Sequence, residues 1–546
     1  MRSTRVVFIA LFSIVVAGVA AQTDRRSDLP DVPRSATFRV AVEDSDFEMN
    51  PMYAFVATEA QIFTGLFEGL VGYNPLTLEP VPGVARRWDV LDDGTLYRFH
   101  IRSDARYENG DPVLAEHFRE TWIALLSLGD EAAYGSLFDD IVGARDFRRG
   151  RIENADAVGV TAVDDRTLEI RLRRRTPHFT ELLAHHSFSP LHPDVLALRD
   201  FTDVDRHIGN GPFRLVSYDE AGVVMDRNEE YWASDSVTMD RIVYDRIADA
   251  RSATDLFFDR EVDWNTGLIA FDGDFDSTDL VVNPLFATTF YFIRAEQPPW
   301  SDDRVRRAMA LALPWDTIRS PEVYFTPTTR LVPEIPGYPE PEMIGEQNRE
   351  EALRLLAEAG FPNGEGLPDP LIRIPGGDSA RVAGIMRDSW DDAFGVDTEI
   401  ETVAYPDYFS RASEPEVTVG LLSWIGDITD PVTFLKLWVS ESTLNEAGFI
   451  SEEYDALIEG ASGMEGAARF SRMSDAESLL LSTGTILPVS HSSAFNLINL
   501  DMYEGWFPNP LDIHPVRYIR RTGDEPAPGV VNARQIMSPE APGYPE

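Results

Sequence analysis

The chain has 546 residues, of which 43% are hydrophobic and 11% aromatic, so it can bury a large core and has room for about three to four domains. Its 92 acidic and 48 basic residues give a formal net charge of −44, which would repel nucleic acid and acidic lipid and excludes both as expected partners. The absence of cysteine excludes disulfides, thiolate metal sites and cysteine nucleophiles.

The chain begins with the pattern of a secretory signal. Arg2 and Arg5 precede an apolar run from Val6 to Ala21, which is 16 residues long and shorter than the roughly 20 residues of a membrane-spanning helix. Small residues at its end place a cleavage site before Gln22. We therefore predict that residues 1–21 are a signal peptide, with an uncleaved anchor as the alternative. The mature protein should be soluble and exported to a periplasm, since no cysteine follows for lipidation.

Strand and helix signals alternate along the mature chain. Apolar and polar residues alternate over 97–101 and again over 168–172, which predicts two half-buried strands. Apolar residues recur at helical spacing over 305–312, and a second helix is predicted over 349–359, with its end at Gly360. Mixed strands and helices over this length indicate an α/β protein.

Motifs for catalysis and cofactor binding are incomplete. No Gly-x-Ser-x-Gly or Walker A sequence occurs, and Gly209-Asn210-Gly211 is not followed by the rest of a dinucleotide fingerprint. Asp272, Asp274 and Asp276 begin like a calcium loop that lacks its glycine and glutamate. Four histidines lie close in sequence, without carboxylates at metal-ligand spacing: His178, His185, His186 and His192. We predict no cofactor, no metal site and no enzymatic activity.

Several short motifs occur in a fixed order between residues 38 and 520. They are Ile62-Phe63-Thr64-Gly65-Leu66-Phe67-Glu68-Gly69-Leu70, the segment 82–113, Gly209-Asn210-Gly211-Pro212-Phe213, Pro298-Pro299-Trp300, Trp424-Ile425-Gly426-Asp427, Tyr454-Asp455-Ala456-Leu457-Ile458 and Asn509-Pro510-Leu511-Asp512-Ile513-His514-Pro515. Together and in this order they resemble the periplasmic oligopeptide-binding proteins of solute-binding protein family 5, the peptide/nickel type, which serve ABC transporters.

The resemblance implies an α/β fold of the two-lobed periplasmic-binding-protein clamp type, type II-like, in its large cluster C form with three domains. The implied divisions are domain I over 34–67, 195–286 and 495–525, domain II over 68–194, domain III over 287–494, and a disordered tail over 526–546. Two crossing strands would join the lobes, with a hinge near residues 285–290 and 490–495. Ligand would bind between the lobes.

The resemblance also implies a ligand site. In peptide-binding relatives an aspartate shortly after a tryptophan binds the α-ammonium of the ligand, and Asp427, three residues after Trp424, matches that motif. The alternative for Asp427 is to cap the turn that follows. Ser423 to Ile425 would pair with the backbone of an extended peptide on one side, and Phe55 to Ala57 on the other. Trp424 would either cover a ligand side chain or fill the interlobe core.

The end that would bind the ligand carboxylate departs from the family pattern. Oligopeptide receptors of the family use Lys, Arg or His there, whereas the aligned positions hold Leu421 and Val323. Arg411 and Arg381 lie nearby and could substitute, with ordinary surface positions as the alternative.

The sequence therefore predicts a monomeric extracytoplasmic receptor that binds short peptides between two lobes and delivers them to an ABC permease in the inner membrane. Asp427 favours an amine-bearing ligand and hence a peptide. A family receptor for a nickel chelate, an oligosaccharide or an opine is the nearest alternative. An extracytoplasmic hydrolase lacks support from any nucleophile–base motif, and a surface interaction protein that lost transport would keep the same fold.

Overall fold

The computed structural model describes residues 32–271, 279–320, 325–377, 379–404, 407–412 and 414–523. The predicted signal peptide, the predicted disordered tail, the calcium-like aspartates Asp272 to Asp276 and Val323 lie outside the described residues.

A mixed sheet of eleven strands runs through the molecule. Ten strands lie side by side in the order β15 (Glu399–Thr402), β14 (Leu371–Ile374), β16 (Val419–Ile425), β12 (Leu280–Ile293), β17 (Ile486–Ile498), β11 (Trp264–Thr266), β1 (Thr37–Glu43), β10 (Arg241–Ile247), β9 (Gly222–Arg227) and β8 (Phe213–Asp219). The eleventh, β13 (Phe325–Pro327), pairs with β17 on the side.

Three smaller antiparallel sheets accompany the large one. They are the four-stranded sheet β4 (Ala85–Leu91), β5 (Leu96–Ile101), β7 (Thr167–Arg171) and β6 (Val160–Asp164), and the pairs β2 (Val71–Tyr73) with β3 (Pro80–Pro82) and β18 (Tyr503–Glu504) with β19 (Arg520–Arg521).

The α-helices pack around these sheets. They are α1 (Ala57–Leu66), α2 (Ala115–Ser127), α3 (Ala144–Arg148), α4 (Phe179–Leu182), α5 (Ala250–Phe258), α6 (Asp303–Leu311), α7 (Trp315–Ile318), α8 (Arg349–Glu358), α9 (Ser379–Phe394), α10 (Asp407–Arg411), α11 (Val432–Leu435), α12 (Glu452–Ala461) and α13 (Gly466–Ser482). Within the described ranges, none of these helices combines the length and the apolar character needed to cross a membrane.

The elements predicted from local patterns are confirmed. The alternating segments form β5 and β7, whose apolar side chains are buried on one face. The helical patterns form α6 and α8. Gly360 follows the end of α8 with φ +100°, a backbone conformation that favours glycine because a Cβ would crowd it.

The two longest strands, β12 and β17, run antiparallel and connect the two halves of the large sheet. The C-terminal part of β17 pairs with β11. The C-terminal part of β12 pairs with β16. Their pairing is interrupted by a register shift between Pro284 and Thr288. The predicted hinge coincides with this irregularity, and the hinge and the domain boundaries stay predictions.

Polar contacts join the segment that follows α2 to the segment that follows α11. Lys436, the one lysine of the chain, lies with its Nζ 2.5 Å from Oδ2 of Asp140, whose side chain is only 3% exposed. Arg148 donates to the backbone oxygen of Glu441 at 2.9 Å. Burial by itself would raise the pKa of Asp140, but Lys436 outweighs it and holds that pKa at about 2.

Replacing Lys436 with methionine should lower the free energy of unfolding at pH 7 by about 3–5 kcal/mol, because Asp140 would stay buried without its closest cation. The contribution of the pair is present above the ordinary carboxyl pKa near 4 and is lost as the pH falls through about 2. Urea unfolding measures this loss.

The matched control is Arg175→Met. Arg175 and Glu465 form an ion pair at 2.7 Å with both side chains about 60% exposed, so its loss should cost less than about 1 kcal/mol. Equal small losses in both variants would contradict the role assigned to Lys436.

Candidate functional site

Asp427 lies two residues beyond the end of β16, and its side chain is 8% exposed. Its backbone N–H donates to Thr433 Oγ1 at 2.8 Å, and the same hydroxyl donates to Asp427 Oδ2 at 2.9 Å. This reciprocal pair fixes the orientation of the carboxyl group. It leaves the second carboxyl oxygen, Oδ1, on the side of His185.

Asp427 lines a small cavity with Lys436, but Lys436 is paired with Asp140 and does not lie within 4.0 Å of the Asp427 carboxylate. Nε2 of His185 lies 3.8 Å from Asp427 Oδ1, and among the described residues it is the only basic nitrogen within 4.0 Å of that carboxylate. Burial and the neighbouring His186 lower the pKa of His185 well below its ordinary value, so His185 is neutral at pH 7. Burial raises the pKa of Asp427 to about 7. The carboxylate is thus costly to ionise unless a cation approaches it.

The turn after Asp427 is capped by a different aspartate. Asp430 Oδ1 accepts a hydrogen bond from the N–H of Val432 at 2.9 Å, at the start of α11. The Asp430 carboxylate also accepts two hydrogen bonds from Arg469, at 2.7 and 2.8 Å. Asp430 thus bonds to the backbone of this turn, whereas Asp427 bonds to the Thr433 side chain, and the capping alternative for Asp427 stays a prediction.

Trp424 joins three segments of the chain at this site. Its side chain is 6% exposed, and its ring centroid lies 6.3 Å from the rings of both Phe55 and Tyr134. Its indole N–H is buried and has no acceptor among the described residues. Trp424 therefore fills an aromatic contact between segments, and a role in covering a ligand side chain stays a prediction.

The predicted pairing segment Ser423 to Ile425 lies at the end of β16, where the backbone groups of Ser423 and Ile425 point away from β12 and those of Trp424 point toward it. The N–H of Gly426 donates to the C=O of Phe286 at 2.9 Å. The N–H and C=O groups of the even-numbered residues of β16 therefore point toward β12. In an antiparallel pair the intervening residues direct their N–H and C=O groups to the other edge. On that edge, β14 pairs with β16 only at Val419 within the described ranges.

The second predicted pairing segment, Phe55 to Ala57, has a different structure. Ala57 is the first residue of α1 and Val56 is its N-cap, so an extended conformation ends at Val56. The N–H groups of Phe55 and Val56 donate to Glu59 Oε2 at 2.7 and 3.0 Å. Pairing through these two N–H groups is therefore excluded here. Glu59 stands three residues after the N-cap, a spacing that signals a helix start in the sequence.

A cavity of about 290 Å³ adjoins the pairing edge. Its lining includes Leu421, Ser423, Arg381 and Arg319, and Arg319 also lines a neighbouring cavity of about 590 Å³. The Arg411 side chain instead binds Glu401 and Glu414 away from both cavities. Of the two arginines considered from the sequence, Arg381 thus reaches the cavity and Arg411 does not.

Sequence reasoning missed Arg319, Tyr134 and the position of His185 beside Asp427. Arg319 donates to the C=O of Pro488 and lies over the Trp315 ring, and burial lowers its pKa to about 10. Tyr134 lies far from Asp427 in sequence, and no local motif connects the two. The adjacent histidines at 185 and 186 were the one available signal, and sequence reasoning interpreted them as loop or core residues rather than metal ligands.

Comparison with known proteins agrees with this architecture. The family model described as "Bacterial extracellular solute-binding proteins, family 5 Middle" matches residues 79–446, and the chain belongs to this family. It is 24% identical to the oligopeptide-binding protein OppA of Bacillus subtilis, over 83% of this chain and 87% of that protein. It is 26% identical to the periplasmic oligopeptide-binding protein OppA of Escherichia coli, over 90% and 94%.

A solved structure with the same fold is the murein tripeptide-binding protein MppA of Escherichia coli. It matches with a TM-score of 0.80 at 25% identity, over 89% of this chain and 98% of that one. The unliganded open form of MppA matches with a TM-score of 0.59. The α/β, two-lobed clamp implied by the sequence resemblance is thereby confirmed.

Replacing Asp427 with asparagine should stabilise the protein without ligand at high pH. The pKa of Asp427 is raised to about 7, so its contribution to stability is full below the ordinary carboxyl pKa near 4 and is lost as the pH rises through about 7. The advantage of the variant should grow by about 2–3 kcal/mol between pH 5 and pH 8. Guanidinium unfolding at both pH values tests this.

The matched control is Asp430→Asn. Arg469 keeps the pKa of Asp430 below its ordinary value, so this variant should lose stability at both pH values. A pH-independent effect of Asp427→Asn would show that burial does not raise the pKa of the Asp427 carboxyl group.

Proposed function

We propose that this protein is the peptide receptor of an ABC importer, which binds short peptides between its lobes and delivers them to a permease in the inner membrane. The observation that carries the proposal is the buried Asp427 carboxylate, with no arginine or lysine within 4.0 Å among the described residues, at the end of an outward-facing strand edge. The names of the relatives, which are oligopeptide- and murein tripeptide-binding proteins, support the same conclusion.

The chemistry of binding follows from these two features. The α-ammonium of a peptide would supply the missing positive charge to Asp427, and a charge-assisted hydrogen bond shielded from water is worth about 1.5–3 kcal/mol. The N–H and C=O groups of Ser423 and Ile425 would pair with the extended ligand backbone. Main-chain pairing does not depend on the ligand side chains, so it suits a receptor of broad specificity.

Closure of the lobes would complete the site. The aromatic contact among Phe55, Tyr134 and Trp424 brings together segments that are distant in sequence. The weaker match to the unliganded open form of MppA supports the interpretation that this arrangement is a closed one. Closing around a peptide would remove Asp427 and the ligand ammonium from water together.

A receptor for another solute of the same family is the second candidate. The described residues contain no group of three His, Asp or Glu side chains placed to hold a metal ion. Arg381 and Arg319 both line the cavity beside Ser423 and would be placed to meet a ligand carboxylate. A peptide carries both an ammonium and a carboxylate, and this pair of sites favours it over an oligosaccharide.

The proposed location is the periplasm, with the mature monomer beginning at Gln22. The family description as extracellular supports export, and the apolar run Val6 to Ala21 supplies the signal. Cell fractionation followed by N-terminal sequencing should give soluble protein that starts at Gln22. Recovery from the membrane with Met1 retained would refute this location.

The substitution Asp427→Asn should weaken binding of a free-amine peptide by about 2–5 kcal/mol, because the ligand ammonium would stay buried without its counter-charge. The same substitution should affect an N-acetylated peptide much less. Calorimetry with both proteins and both peptides forms a double-mutant cycle, which separates the pairwise interaction from general damage.

The control for local structure is Thr433→Val, which removes the hydroxyl that orients Asp427 and keeps the charge. It should cost less than the loss of the carboxylate. Equal losses for both peptides with Asp427→Asn would make Asp427 structural, and no loss for either would place the amine elsewhere.

A further inference from the structure

Two segments of opposite charge lie against each other in this structure. Residues 145–175 contain nine arginines and six acidic residues, whereas residues 441–465 contain seven acidic residues and no basic one. The first segment thus has an excess of positive charge in a chain whose formal net charge is −44. Surfaces of opposite charge attract each other and exclude wrong arrangements.

Ion pairs connect the two segments. Four occur among the described residues, and each joins an arginine of the first segment to a glutamate of the second. They are Arg151 with Glu441, Arg173 with Glu459 at 3.2 Å, Arg174 with Glu459 at 2.6 Å and Arg175 with Glu465 at 2.7 Å. Their side chains are 20–60% exposed, so salt reaches them. These four ion pairs are the latch pairs.

The two segments belong to different parts of the fold. Residues 145–175 include β6 and β7 of the four-stranded sheet, whereas residues 441–465 include α12, which packs against α13. Glu477 of α13 accepts hydrogen bonds from the N–H groups of Leu331 and Val332. The C=O of Leu331 in turn accepts one from Thr288 of β12. The implied divisions place the first segment in domain II and the second in domain III, so the latch pairs cross between the predicted lobes.

A buried ion pair lies beside the latch pairs and differs from them. Nη2 of Arg174 is 3.8 Å from Oδ1 of Asp140, and Lys436 lies closer to that carboxylate. The Asp140 side chain is 3% exposed, so salt screens this pair much less than the latch pairs. A dependence of closure on ionic strength would therefore come from the exposed latch pairs.

Exposed ion pairs contribute little to the stability of a folded domain. Two conformations of one protein, however, differ by a small free energy, so a few weak interactions that exist in only one of them change their populations. We propose that the latch pairs hold the two lobes closed and that this hold weakens as the ionic strength rises. The inference goes beyond the proposed function, because it concerns closure both with and without a peptide.

The dependence on salt follows from screening. Charges in water interact over about 10 Å at 0.1 M salt and over about 3 Å at 1 M. The attraction between residues 145–175 and residues 441–465 therefore falls when salt is added, whereas salt does not screen the apolar contacts between the lobes. The hydrogen bond from Arg174 lowers the pKa of Glu459, so this carboxylate is ionised at neutral pH, where the latch pairs form.

The distance between two spin labels tests the proposal. The chain has no cysteine, so Val163→Cys on β6 and Asp475→Cys on α13, both at exposed positions, create the two labelling sites. Pulsed electron paramagnetic resonance on protein refolded without ligand separates closed molecules, with a short distance, from open ones. Raising sodium chloride from about 50 mM to about 1 M should lower the ratio of closed to open molecules about tenfold.

A triple variant removes the glutamates of all four latch pairs and keeps their size. It carries Glu441→Gln, Glu459→Gln and Glu465→Gln. At the lower salt concentration its ratio of closed to open molecules should already be about tenfold below that of the protein with intact latch pairs. Adding salt should then change this ratio less than about twofold.

The matched control removes three glutamates whose ion pairs lie within one part of the fold. It carries Glu116→Gln, Glu169→Gln and Glu351→Gln, and the partners of these glutamates are Arg119, Arg98 and Arg354. Both triple variants lose three negative charges, so they have the same net charge. The control should show the same ratio and the same salt dependence as the protein with intact latch pairs.

Two results would overturn the proposal. A ratio that stays constant between the two salt concentrations in the protein with intact latch pairs would mean that exposed charges do not hold the lobes closed. A latch variant with the same ratio as the control would mean that these glutamates have no special role. If the latch variant fails to fold, the salt dependence of the protein with intact latch pairs still decides. Neither result depends on whether the protein binds a peptide.

Discussion

The candidate site depends on the antiparallel pairing of β16 with β12. This pairing extends from Ala287 opposite Ile425 to Ile293 opposite Val419. It fixes which residues of β16 direct their backbone N–H and C=O groups toward β12 and which direct them toward the opposite edge. Since strand side chains and backbone groups alternate with a period of two, a shift of one residue would exchange the two sets. The position of the outward-facing Ser423 and Ile425 follows from this register.

The pairing of β12 with β17 connects this part of the sheet to its other half. β17 also pairs with β11, which lies beside β1, so β12, the strand that orients β16, is bonded indirectly to the half of the sheet that contains β1. The register shift after Pro284 interrupts the ladder between the two halves. A sheet that is continuous but locally interrupted can hold each half rigid and still permit movement between them.

Electrostatic effects then distinguish the two aspartates of the same loop. Asp430 has Arg469 beside it, and its pKa is lowered despite burial. Asp427 has a neutral histidine beside it and no lysine or arginine within 4.0 Å among the described residues, and burial raises its pKa. Two carboxylates three residues apart therefore have opposite pKa shifts, because one has its cation within the chain and the other has none within 4.0 Å among the described residues.

The amino-acid sequence by itself determined the local elements, the family resemblance and the aspartate motif. Alternation at 97–101 predicted β5, and the glycine at 360 predicted the end of α8, because these features depend on neighbouring residues only. The tertiary structure decided what depends on distant partners. Glu59 accepts hydrogen bonds from the N–H groups of Phe55 and Val56, and the Tyr408 hydroxyl pairs with both the N–H and the C=O of Leu421. A backbone N–H or C=O group can be bonded by a side chain that is distant in sequence. Sequence spacing alone therefore could not show which parts of the predicted edges were already bonded.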